Sequence, residues 1–157
     1  MQRKSGLRAA FLFHYHLLMP HTDPAAPESP TTAHVLLAHG SRDPQWPAAI
    51  QAVAARVRAL DPAAQVRCAY LESAPPDLTA AVCELATLGA QNIAVWPMLL
   101  GMGRHARADL PRLIAAAQTC IQTRYSGVRL TLQPAIAEHA PVLDAMARVI
   151  LHKPTDA

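Results

Sequence analysis

Two histidines and a glutamate carry the chemistry that this sequence most readily supports. His39 stands in HVLLAHGSRDPQW, Glu72 in AYLESAPPDL and His105 in GMGRHARAD, each 33 residues from the next. Two imidazoles and a carboxylate suit a borderline divalent metal such as Co2+, Ni2+, Fe2+ or Zn2+. The same groups accept protons near neutral pH. Gly40, Gly101 and Gly103 allow sharp turns and close approach of a ligand. Arg42, Arg104 and Arg107 offer planar guanidinium groups to acidic partners. Each piece alone has an ordinary reading: a hydrogen-bonded strand-end histidine, a solvated glutamate, turn glycines. A site exists only if the fold brings the three together.

The apolar pattern supplies that fold. Val35–Ala38 is a compact apolar strand, and Asp43 can cap a helix with Pro44 or Pro47 in its first turn. Ile50, Val53, Ala54, Val57 and Leu60 recur at helical spacing until Asp61-Pro62. Val66–Leu71 is a second strand. Pro75-Pro76-Asp77 opens a second helix, with Gly89 as its natural C′ residue. Ile93–Leu100 reads as a third strand and GMGRHARAD as the loop after it. Leu110, Leu113, Ile114, Ala117 and Ile121 make a third helix. Val128–Leu132 and a helix through Val142, Leu143, Met146 and Ile150 complete four βα units. Near-continuous apolar strands between amphipathic helices imply an α/β three-layer sandwich, a four-stranded parallel sheet with helices on both faces. Right-handed crossovers place every strand-to-helix loop at one edge, where ligands of such folds bind. His39, Glu72 and His105 then share one rim.

Other candidates rank lower. Ser41 lacks the GxSxG context of a nucleophile elbow, since the stretch reads HGSRD. GMGRH has neither the GxGxxG spacing nor a GK[ST] phosphate loop. Cys68, Cys83 and Cys120 are odd in number and widely spaced, without CxxC, so they read as packing in a reducing cytoplasm. His139 reads as a capping or interface residue, His34 has no obvious partner, and Trp96 and Met98 read as core or pocket wall. The net charge of +3 and pI near 9.0 suit an acidic small molecule. Basic charge is carried almost wholly by arginine, and no dense basic run points to nucleic acid.

The 157 residues make one domain, read here as residues 34–151, followed by a tail over 152–157. Residues 1–33 read as a disordered extension or as sequence upstream of a start at Met19. The apolar stretch before Met19 is too short to span a membrane.

LLAHGSRDPQW, AYLESAPPDL and WPMLLGMGRHARADLP, in this order, resemble the small sirohydrochlorin chelatases of the short CbiX type, in the class II chelatase family. The resemblance covers roughly residues 34–151. It implies a chelatase-like fold equal to one flavodoxin-like half of the two-lobed relatives, and ATP-independent insertion of a divalent metal into sirohydrochlorin. It implies that His39 and His105 hold the incoming metal and accept pyrrole protons, with Glu72 as the acidic residue of the metal site. Ser41, Arg42, Gly103, Arg104 and Arg107 match positions near the substrate. No permanent cofactor is implied, since Co2+, Fe2+ or Ni2+ is itself a substrate, with Co2+ favoured. A soluble cytoplasmic homodimer is expected, with no membrane and no nucleic-acid partner. A metal carrier and a metal-dependent hydrolase are the alternative functions. The chain lacks the His-rich tail and the Cys-based cluster motif of some family members.

Overall fold

The computed structural model describes residues 32–152. Residues 1–31 of the expected N-terminal extension and the last five residues lie outside the described residues, whereas Thr32 and Ala33, expected in that extension, belong to β1, where Ala33 is buried. The order is β1 (Thr32–Ala38), α1 (Ala48–Leu60), β2 (Val66–Tyr70), α2 (Leu78–Thr87), β3 (Asn92–Pro97), α3 (Arg104–Gln122), β4 (Arg129–Leu132), a 3-10 turn (Ile136–Glu138) and α4 (Ala140–Leu151). The strands form one sheet in the order β2-β1-β3-β4, and every pairing is parallel. The α/β sandwich expected from the periodicity is the fold observed.

Alternation along the strands sends side chains to two cores. Val35 and Leu37 of β1 and Ile93 and Val95 of β3 face α2 and α3, where they meet Val82, Leu85, Leu110 and Ile121. Full burial of each such side chain contributes roughly 1.5–3 kcal/mol. Leu36 and Ala38, with Val66 and Tyr70, face α1 through Ile50 and Ala54. This second core is smaller. α4 belongs to the same side, where His139 at its N-cap packs on Trp96 with ring centroids 5.5 Å apart. None of its residues is fully buried.

Local chemistry explains most boundaries. Asp77 caps α2 by accepting from Ala80 N at 2.8 Å. Gly89 ends that helix at φ +89°, with Ala90 N–H on Leu85 O. Asp43 does not cap α1. Its Oδ1 accepts from Gln45 N at 2.9 Å, closing a turn, and Pro47 occupies the N-cap. Pro44 thus stands in that turn and not in the helix.

Two expectations at the third βα unit are corrected. β3 stops at Pro97 instead of running to Leu100. Met98 N–H still reaches Leu37 O at 2.8 Å, so the β1 side of the ladder outlasts the strand by one bond. Pro97 lacks its donor on the β4 side, where the ladder has closed with Gln133 N–H on Val95 O. α3 starts at Arg104, six residues before Leu110, so the RHARAD stretch is helix and not loop. Gly103, its extended N-cap, gives no side-chain cap.

Candidate active site

The first wall of the site grows from β1 and β2. The ladder between these strands continues past their ends through Leu71 N–H on Ala38 O and Glu72 N–H on His39 O, at 2.9 and 3.0 Å. The backbones of the two candidate residues are therefore bonded to each other. Gly40 follows His39 at φ +99°, and a Cβ there would stand 1.8 Å from the carbonyl oxygen of Glu72. No other residue type fits without moving the β2 end. Glu72 O also accepts from Ala74 N at 2.8 Å, across Ser73 in a left-handed conformation (φ +62°). This backbone brings His39 Nε2 and Glu72 Oε1 to 3.4 Å, with both side chains more than half exposed.

His39 and Glu72 open into a cavity of about 830 Å³. That volume is ample for a drug-sized or larger ligand. Leu71, Leu99, Leu110 and Leu113 make its apolar surfaces, and Gly101 lines it from the β3–α3 loop. The second wall is α3, which adds Asp109 and Arg112. Their charged ends, Asp109 Oδ1 and Arg112 Nη1, lie 3.7 Å apart in a largely exposed i,i+3 pair.

His39 and Glu72, two of the three residues expected on one rim, line this cavity together, with Gly101 beside them. His105 and Arg104 stand in the first turn of α3, and their side chains lie outside the described residues. Ser41 and Arg42 follow the rim but do not line the cavity. Ser41 Oγ instead accepts from Asp43 N at 3.1 Å, and Arg42 is exposed. Gly103 and Arg107 are also exposed and outside the lining. Asp109 and Arg112 were missed by sequence reasoning. The available signal was spacing: 105, 109, 112 and 116 recur at helical intervals, a stripe that is visible only if α3 starts before His105. Among the described residues no three metal-ligating side chains converge. His39 and Glu72 form a pair that a third donor would complete.

A separate groove of about 260 Å³ lies on the α1 side, lined by Val53, Val57, Trp96, Met98 and Ile136, with His34 beside them. His34 does have a partner: its Nδ1 accepts from Trp96 Nε1 at 3.2 Å. Burial holds the imidazole below its ordinary pKa, against the opposing pull of Asp61. Cys68 and Cys83 are half-buried and Cys120 is exposed, all as free thiols. Burial raises the first two thiols above their ordinary range. Among the described residues no helix is long and apolar enough to cross a membrane.

The CbiX family profile matches residues 33–152, the whole described sandwich. The chain belongs to the CbiX family. It is 32% identical over 93 residues to the sirohydrochlorin cobaltochelatase of Saccharolobus solfataricus, covering 59% of this chain and 71% of that protein. It is 30% identical over 82 residues to the enzyme of the same name from Methanopyrus kandleri, covering 52% and 57%. Among solved structures it resembles a cobalamin-biosynthesis CbiX protein from Marinobacter aquaeolei, with TM-score 0.65 and 28% identity over 76% of this chain and 94% of that one. It also resembles the sirohydrochlorin chelatase SirB from Bacillus subtilis subspecies spizizenii in complex with cobalt. There the TM-score is 0.62 and the identity 26%, over 77% of this chain and half of SirB.

Proposed function

We propose that this CbiX-family chain is a sirohydrochlorin chelatase that inserts a divalent metal without ATP. The observation that carries the reading is the His39–Glu72 pair at the mouth of a cavity roomy enough for a large flat ligand. A neutral imidazole and a carboxylate hold a borderline metal yet release it, where thiolates would retain it. Insertion expels two pyrrole protons, and His39 with Glu72 can take them on to solvent. The apolar leucines suit the ring faces. His105, at the start of the α3 wall, is proposed as the second histidine of the metal site.

Ser41, Arg42, Gly103, Arg104 and Arg107 are proposed as an outer ring of contacts to the substrate's acidic edge, reached once the macrocycle projects beyond the cavity. Co2+ is the favoured metal substrate, supported by the cobaltochelatase names of the relatives and the cobalt complex of SirB, with Fe2+ and Ni2+ as competitors. Residues 34–151 are proposed as the catalytic unit, working in the cytoplasm as a homodimer. Its support is that this chain matches half of SirB. A second copy would supply the walls that the other half of SirB supplies.

The test mixes purified protein with sirohydrochlorin and each metal separately and follows the ring absorbance. The reading expects turnover well above that of the free ion, fastest with Co2+. A protein that binds metal without accelerating metallation would be a carrier and would end the chelatase reading.

A further inference from the structure

We propose that Arg112 is a specificity-determining residue of this cavity, taking a carboxylate at the edge of the macrocycle while Asp109 restrains its guanidinium. The inference rests on the chelatase reading and names a contact that the sequence motifs do not contain. Among the described lining residues Arg112 is the sole guanidinium, and it sits with Leu113 on the α3 wall. Its contact with Asp109 is a single exposed ion pair at 3.7 Å, longer than a hydrogen bond. Such a pair contributes little to stability, so holding the helix together does not account for it. A guanidinium has five N–H donors in a planar fork, and one contact at 3.7 Å leaves most of them for a ligand. One turn further along, Ala116 lines the cavity with no side chain beyond Cβ, leaving room beside Arg112 for the substituents of a ring. The α3 wall thus offers a fork for a carboxylate where the β1–β2 wall offers metal donors.

Asp109 is a positioning residue here. Left alone, an exposed arginine samples many rotamers, and the carboxylate three residues earlier restricts them. A substrate carboxylate can displace or share this contact at little cost.

The test compares the full-length wild type with Arg112→Gln, Arg112→Lys and Asp109→Asn, using sirohydrochlorin, its methyl ester and Co2+ as probes. Arg112→Gln is expected to raise the KM for sirohydrochlorin about tenfold, the loss of one charge-assisted contact, with kcat within about twofold. The KM for Co2+ and that for the ester should stay at wild-type values. Arg112→Lys should recover part of the loss, and Asp109→Asn should raise the same KM about threefold. An unchanged sirohydrochlorin KM in Arg112→Gln, or an equal loss with the ester, overturns the inference while leaving the chelatase reading intact. A wild type that does not accelerate metallation removes the reading itself and the inference with it.

Discussion

The two walls of the cavity are built on different principles. On the β1–β2 wall, His39 and Glu72 are joined through backbone hydrogen bonds and a glycine contact that leaves no space for a Cβ. On the α3 wall, Asp109 and Arg112 are exposed side chains in a loose pair. The first arrangement fixes the backbone from which both side chains project, the kind of positioning that proton transfer and metal transfer require. The second adapts, as recognition of a floppy acidic substituent requires. The proposed chemistry stands on the first wall and the proposed selection on the second.

That contrast can be broken at its stiff side with the largest effect. His39→Ala should lower metallation by about 10²–10⁴-fold, since it removes a metal donor and a base together. The exposed imidazole supports no core packing, so thermal unfolding should stay close to wild type. Loss of activity together with loss of fold would mean that the residue is structural. Gly40→Ala should act on both readouts. The left-handed φ and the clash with Glu72 O together cost about 2–4 kcal/mol of stability. Turnover should fall as Glu72 is displaced from His39, and denaturant melts beside kinetics would show both. A wild-type melt would mean that the β2 end is pliant after all.

Smaller effects sharpen the comparison. Neutralising Arg42 and Arg104 together should raise the sirohydrochlorin KM about two- to fivefold and flatten its salt dependence, leaving kcat nearly constant. An unchanged KM would confine recognition to the cavity itself. The smallest effect is expected far from either wall. His34 has a folded pKa below its unfolded value, so the folded state favours the neutral ring that accepts from Trp96. Its contribution is complete above pH 6.5 and is lost as pH falls below that toward the folded pKa. Melting temperature should therefore decline from pH 7 to pH 5 more in wild type than in His34→Gln. Identical slopes would discard this role for His34.

The stiff wall was legible in the sequence and the pliant wall was not, for physical reasons. β1 and β2 end where apolar runs meet His39-Gly40 and Glu72-Ser73, and Asp77 and Gly89 announce both ends of α2. At the third unit the signals overlap. Leu99 is apolar because it lines the cavity, so the strand pattern runs on past Pro97 without a break. The start of α3 carries no capping side chain, and its polar first turns hide the helical period until Leu110. The same concealment hid Asp109 and Arg112. His34 and Trp96 are far apart in sequence, and only the β1–β3 register brings them together.

The strand order has a consequence for how the chain assembles. β1 pairs with both β2 and β3, so the strand synthesised first among the described residues lies inside the sheet. Neither ladder can close without it, and residues 39–65 must be made before β2 arrives and residues 39–91 before β3 does. Such non-local pairing slows folding. Vectorial synthesis offsets this, because the emerging β1–α1–β2 unit can close the first ladder before β3 exists. His39 and Glu72 close that unit, so the pair proposed to hold the metal can be set by the first βαβ unit before the α3 wall is complete.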